Sequence, residues 1–167
     1  MKPITEPFQS DVGVVLHLLE RKHLDHTLAW RNDAQARRWF KNDALIEVEQ
    51  HYCWFDRYLM KRDDLMFIAE IDGELIGQVS VYAIDRGQRQ AEVGRFLAAP
   101  AHAGKGLMKR AIRALITLCR DELTLTYLFL EVKGENERAI RLYEALGFLA
   151  EHKQGELIRM GQVIRET

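Results

Sequence analysis

The stretch "AEVGRFLAAPAHAGKGLMKRAIRALITLCRDELTLTYLFLEV" (residues 91–132) decides the fold. It opens with the strand-like run 91–98. A turn containing Gly104 and Gly106 follows, and then apolar residues at helical spacing. Leu107, Met108, Ala111, Ile112, Leu115, Leu118 and Cys119 form one stripe, which predicts an amphipathic helix over 105–120. "YLFLEV" (127–132) is nearly continuous in apolar residues and predicts a strand buried on both faces. Strand, helix and strand in about 40 residues form a βαβ crossover, so the two strands should run parallel.

Working outward, "LMFIAEIDGELIGQVSVYAI" (65–84) predicts a hairpin about Asp72-Gly73. Residues 12–19 read as a strand. Residues 24–31, 33–40 and 47–62 read as helices. After the crossover, Asn136 predicts an N-cap for a helix over 137–145 that ends at Gly147. "FLAEHK" and "ELIRMGQVI" predict a closing antiparallel pair. The fold class is α/β with a mixed sheet.

The glycine turn excludes two nucleotide motifs. The phosphate loop of nucleotide hydrolases needs glycine at 99 and Ser or Thr at 106, where Ala99 and Gly106 stand. The dinucleotide fingerprint needs glycine at Lys109. A helix start still offers unpaired amides, and an anion is favoured there. Lys105, Lys109 and Arg110 crowd a helix end that repels cations, which makes sense if a phosphate lies between them. The bare turn reads equally as a loop with solvated lysines.

"LEVKGENERAIRLYEALGF" (130–148) adds a second constellation. With it, the chain from Val12 to Phe148 resembles the GCN5-related N-acetyltransferases (GNAT superfamily). The 93–113 strand-loop-helix and Asn136, Ala139, Leu142, Tyr143, Gly147 and Phe148 carry the resemblance. It implies one acetyltransferase domain over 1–167, with 1–10 as a loose N-terminal arm. The implied sheet is mixed, mostly antiparallel and twisted, with a central βαβ crossover and flanking helices. Acetyl-CoA is the implied co-substrate, with no metal. Ala103, Gly104, Lys105, Gly106, Leu107, Met108 and Lys109 would cradle its pyrophosphate. Phe96, Leu97, Ala98 and Asn136 would contact the pantetheine arm. The chain departs from the family at Ala103, usually Arg or Gln, and at Met108, usually Gly or Ala, where the side chain would crowd the phosphates.

The resemblance implies Tyr143 as general acid. It implies Glu131 as general base, as in the ribosomal-protein alanine acetyltransferases that this pattern is most similar to. On chemistry alone, Glu131 is either a base on an apolar face shared with Tyr127 and Phe129, with its pKa raised, or a half-solvated carboxylate. Tyr143 is either a core aromatic or a donor to the leaving thiolate. Glu92 is a second candidate base or a surface residue.

For the acceptor, "LAWRNDAQARRWF" (28–40) is similar to acetyltransferases of nucleotide-linked amino sugars, the pseudaminic acid biosynthesis type foremost. That implies Trp30, Arg31, Asn32 and Trp39 as substrate-binding residues. Trp30, Trp39, Phe40, Tyr52 and Trp54 read either as stacking surfaces or as core, and Arg31, Arg37 and Arg38 as diphosphate ligands or a helix coat. Protein N-terminal or lysine acetylation, and a non-catalytic acyl-CoA-binding domain, stay open as alternatives.

Composition sets the frame. The chain has 167 residues, 47% hydrophobic and 29% charged, with formal net charge -1. That suits a globular domain and gives no global nucleic-acid footprint. Cys53 and Cys119 are expected as buried, reduced thiols. His23, His26, His51 and His102 show no metal-ligand spacing. No signal or membrane-spanning pattern is seen, so a cytoplasmic setting is expected, with a small-molecule amine acceptor, no nucleic acid, no membrane, and an edge on the final strands that would suit a homodimer.

Overall fold

The computed structural model describes residues 2–165. Five helices, α1 (Leu24–Asn32), α2 (Ala34–Arg37), α3 (Val48–Met60), α4 (Leu107–Asp121) and α5 (Glu137–Ala145), flank one sheet. Its strands are β1 (Phe8–Gln9), β2 (Val15–Leu18), β3 (Asp64–Ile71), β4 (Glu74–Asp85), β5 (Gln90–Ala98), β6 (Tyr127–Lys133), β7 (Leu149–Gln154) and β8 (Leu157–Val163). They lie in the order β1-β2-β3-β4-β5-β6-β8-β7. Every pairing is antiparallel except β5 with β6. The sequence-based class, a mostly antiparallel mixed sheet around a βαβ crossover, is the observed one.

Alternation along β3 assigns the two faces. Leu65, Phe67, Ala69 and Ile71 join the core beneath α4, whose Ala111, Ile112, Leu115 and Leu118 are fully buried. Met66 and Ile68 point the other way. They pack with Leu24 and Trp30 of α1 and with Phe55 and Tyr58 of α3.

In β5 the phase changes within the strand. Ala91 and Val93 belong to the α4 core, but Leu97 belongs to the opposite one. The cause is a bulge. Gln78 pairs with Leu97 and Ser80 with Gly94, so β5 uses one more residue than β4 over that span. Arg95 takes the left-handed conformation there, at φ 53°. A bulge re-aims the side chains beyond it.

Several expectations are corrected. α2 ends at Arg37, so residues 38–40, expected as helix, instead open a loop that runs to residue 47. β6 is not buried on both faces: Leu128, Leu130 and Val132 face the core, while Glu131 is exposed and Tyr127 and Phe129 are half-buried. Cys53 is exposed; only Cys119 is buried, which pushes its thiol pKa up.

The N-terminal segment, expected as a loose arm, is held at two points. Phe8 and Gln9 pair with Leu16 and Val15. The Lys2 ammonium, 7% exposed, donates to the carbonyls of Tyr58, Lys61 and Asp64, each at 2.6 Å. It lies 3.6 Å from the centre of the Tyr58 ring. Burial pulls its pKa down to about 8, against the pull of Asp64 and Asp63. Among the described residues no helix is long and apolar enough to cross a membrane.

Candidate active site

The parallel pair β5–β6 is short. It runs from Gln90 opposite Tyr127 to Glu92 opposite Phe129 and then stops. Both strands continue, β5 to Ala98 and β6 to Lys133. They therefore diverge, and the β6-facing edge of Phe96, Leu97 and Ala98 is left unpaired. Leu97 and Ala98 keep their pairing with Gln78 and Gly77 on the other side.

The glycine turn lies at the end of β5. Gly104 and Gly106 both have positive φ, 78° and 74°. Gly106 is the N-cap of α4, so Lys105 stands outside the helix that sequence periodicity began with it. No hydrogen bond to a described residue occupies the amides of Gly104, Lys105 or Gly106. Those of Leu107, Met108 and Lys109 are the unpaired donors of the first helical turn. Ala103 closes the preceding 3-10 turn with a 3.4 Å bond to Pro100.

Met108 does not cover this cradle. Its terminal methyl lies 3.0 Å from where a Gly77 Cβ would stand, turned toward the sheet. Arg110 is turned away too, and its guanidinium donates to the Val12 carbonyl at 2.8 Å. A cation that sequence reasoning missed takes its place: Arg138 of α5 brings Nη2 to 3.7 Å from the Cβ position of Gly104. Its position two residues after Asn136 was the available signal. Asn136 caps α5 by accepting from the Ala139 amide at 3.2 Å. These residues, with their free amides and flanking cations, fit the diphosphate of an acyl-CoA.

Tyr143 and Glu131 lie on opposite sides of the sheet, beside the gap. The Tyr143 ring is half-buried against the α4 core, 5.8 Å from the Phe96 ring and 6.4 Å from that of Phe148. Burial raises its pKa, and its hydroxyl bonds no described residue. Glu131 is exposed on the other face, as its alternation with Leu130 and Val132 requires. The apolar enclosure expected around it is missing: Lys41 of the 38–47 loop meets Oε1 at 3.2 Å. The same loop is fixed to β6 by Lys133, which donates to the Arg38 carbonyl at 3.1 Å.

On Glu131's face a polar chain crosses the sheet. The buried Asp64 pairs with Arg95 at 2.8 Å and 3.2 Å. The Arg95 guanidinium lies 4.1 Å from the centre of the Tyr82 ring. The Tyr82 hydroxyl donates to Glu92 at 2.8 Å. Burial first, then Glu92, pushes the Tyr82 pKa up, so it stays a donor. Glu92 thus stands, already hydrogen-bonded, at the last β5–β6 pair.

Next to this chain is a cleft of about 380 Å³. Thr27 and Arg31 of α1, Gln50, His51 and Trp54 of α3, and Phe40, Asn42 and Ile46 of the loop line its walls. Met66, Gln78 and Arg95 form its floor. The four residues expected at the acceptor go different ways. Arg31 lines the cleft. Trp30 lies in the core, 7% exposed, outside the lining. Asn32 exchanges two 2.8 Å bonds with the backbone of Ile46 and so fixes the loop. Trp39 lies beside Arg38, 4.8 Å from ring centre to guanidinium, and is not in the lining. The helical spacing that puts Trp30 under α1 turns Arg31 outward. His51, stacked on Trp54 and bonded to Thr27 at 2.8 Å, has its pKa lowered by burial and then by Arg31. Among the described residues no group of His, Cys, Asp and Glu is placed to hold a metal.

Comparison with known proteins agrees with this architecture. The sequence profile of the acetyltransferase (GNAT) domain matches residues 14–149. Spermidine N(1)-acetyltransferase of Escherichia coli K12 is 34% identical over 149 residues, covering 87% of this chain and 76% of that protein. Aminoglycoside N(6')-acetyltransferase type 1 of Klebsiella pneumoniae is 28% identical over 153 residues, covering 83% and 75%. The crystal structure of spermidine N-acetyltransferase from Vibrio cholerae, in complex with CoA and spermine, superposes with a TM-score of 0.81 over 92% of this chain and 96% of that one, at 24% identity. Profile, relatives and the parted β5–β6 pair place the chain in the GNAT superfamily, as an acetyltransferase that takes its acetyl group from acetyl-CoA.

Proposed function

We propose that this chain acetylates the primary amine of a small molecule that enters the cleft between α1, α3 and the 38–47 loop. The observation that carries the reading is the gap beyond Glu92 and Phe129. It joins the cleft face of the sheet to the face that holds the glycine turn and Tyr143.

Acetyl-CoA supplies a thioester carbonyl; the rest is work for the protein. The amides of Gly104–Lys109, with Lys105, Lys109 and Arg138, hold the diphosphate. The open edge of Phe96–Ala98 pairs with the pantetheine amides as an added strand would. Met108 and Ala103 contribute amides only, and Asn136 contributes its cap and its free side-chain N–H₂. The acceptor must arrive neutral, yet α-amines have pKa values of about 7.7–8.0 and lysine-like amines about 10.4. Glu131, or Glu92 on its bond from Tyr82, takes that proton directly or through one water. The nitrogen attacks the carbonyl carbon, the C–S bond breaks, and Tyr143 donates a hydrogen bond to the sulfur as it gains charge.

Arg31 and the Phe40 ring in the lining support a nucleotide-linked amino sugar as acceptor ahead of the polyamine in the relatives' names. Trp54 is already stacked with His51 and Tyr58, and Arg31 lies over one face of Phe40, so the Phe40 face away from Arg31 is the stacking surface left for a base or sugar. The two free thiols suit a cytoplasmic setting. Leu149 and Val163, 71% and 64% exposed on the β7–β8 edge, are the surface we assign to self-association.

The test is thiol release from acetyl-CoA with a UDP-linked amino sugar, spermidine and an N-terminal peptide. Glu131→Gln and Tyr143→Phe are each expected to lower kcat by about 10²-fold or more. Tyr143→Phe should leave the KM for acetyl-CoA within about threefold. Full activity in both variants would remove the assigned roles. If Glu92→Gln alone abolished turnover, the base would be Glu92.

A further inference from the structure

Arg31 lines the cleft with one guanidinium nitrogen left over. Nη2 donates to the Asn42 carbonyl, and the guanidinium carbon lies 4.4 Å from the centre of the Phe40 ring. Nη1 is buried and has no hydrogen-bond partner among the described residues. A buried N–H of a cation that finds no acceptor is costly, and natural structures rarely leave one unused.

The surroundings do not neutralise it. Among the described residues lining the cleft there is no carboxylate. The other cation there, Arg95, already has its partner in Asp64. Arg37 adds positive charge near Arg31, and Asp43, exposed on the loop, is the acidic group that acts on it. The neutral amides of Gln50 and Gln78 and the Thr27–His51 pair complete the polar lining. A polycationic amine would meet an unpaired guanidinium among these lining residues, with the carboxylates of Glu92 and Glu131 standing outside them at the reacting end of the gap.

We propose that Arg31 is the specificity residue of the acceptor site: its Nη1 binds an oxyanion, phosphate or carboxylate, carried by the same molecule as the reacting amine, so that anionic amines are accepted and polyamines rejected. This rests on the acetyl-transfer reading above. Asn42 and Phe40 set the guanidinium plane before the acceptor arrives, which is the preorganisation a charged hydrogen bond needs.

The experiment uses matched acceptors: a UDP-linked amino sugar, the same free amino sugar, an α-amino acid and its amide, and spermidine. Each is assayed by thiol release with the wild-type chain, Arg31→Lys and Arg31→Met. Thermal midpoint and CoA binding serve as folding controls. The expected result is a preference of about 10- to 100-fold in kcat/KM for the anionic member of a pair. Arg31→Met should erase that preference while leaving the neutral member within about threefold, and Arg31→Lys should restore part of it. Whichever pair shows the larger preference identifies the oxyanion as phosphate or carboxylate. Spermidine as the best acceptor, or an equal loss on both members of each pair, overturns the proposal and leaves acetyl transfer standing. If no amine is acetylated, the transfer reading fails instead. Calorimetric binding of the UDP-linked amino sugar then decides the Arg31 proposal: tighter to wild type than to Arg31→Met supports it, equal affinity overturns it.

Discussion

At the scale of single residues, neighbours in sequence part company. Trp30 goes into the core and Arg31 into the cleft, because one step along a helix turns the side chain by about 100°. His51 shows what such placement does to chemistry. Burial and Arg31 hold its pKa below the ordinary 6.5, so the folded chain binds its proton less readily than the unfolded chain. His23 is shifted the same way, by burial first and then by Lys22. Stability should therefore be lost as the pH falls through 6.5 toward the folded-state values, with a slope of at most about 1.4 kcal/mol per pH unit for each group. Thermal midpoints between pH 5.5 and 7.5 measure this. The pH dependence should be shallower in His51→Gln, and an unchanged slope would show that His51 is not buried as a neutral ring.

At the scale of elements, hairpin, crossover helix and caps were legible because their signals are local. Asp72 and Gly73 both take positive φ, 51° and 80°, as an Asp-Gly hairpin turn requires. The C-terminus of α5 closes with Gly147 at φ 99° and a bond from the Phe148 amide to the Tyr143 carbonyl. Sequence periodicity extends the helix over 38–40, the start of the 38–47 loop, because Trp39 and Phe40 continue the apolar pattern of 24–37. What ends α2 is long-range: Asn32 holds Ile46, and Lys133 holds Arg38. The contacts of the N-terminal segment are invisible in the sequence for the same reason, since nothing near Lys2 in sequence reveals its three carbonyl partners. Lys2→Met should leave those carbonyls without their donor and cost about 2–4 kcal/mol. Urea unfolding measures it; a loss below about 0.5 kcal/mol would mean that the segment contributes little to the fold.

At the scale of the whole molecule, the site is a gap between two packed layers. α4 covers one face, α1 and α3 the other, and the sheet opens where β5 and β6 part. A ligand that bridges the opening binds the folded chain alone. CoA at about 100 times its dissociation constant should stabilise the chain by about 2.7 kcal/mol. For a domain of this size that is a rise of about 5–10 °C in Tm, readable by scanning calorimetry. No shift at saturating CoA would mean that the gap is not the donor site.

The order of elements, the parallel crossover, the glycine turn at its helix start and the cap at Asn136 were determined by the sequence alone, because each rests on hydrophobic periodicity or on the conformational preference of one or two residues. Which residues face the acceptor was decided only by tertiary structure. The bulge at Arg95, the docking of the 38–47 loop on β6 and the pairing of Asp64 with Arg95 join residues far apart in the chain. No local pattern records them, since the energy that fixes them comes from contacts made after the elements have packed.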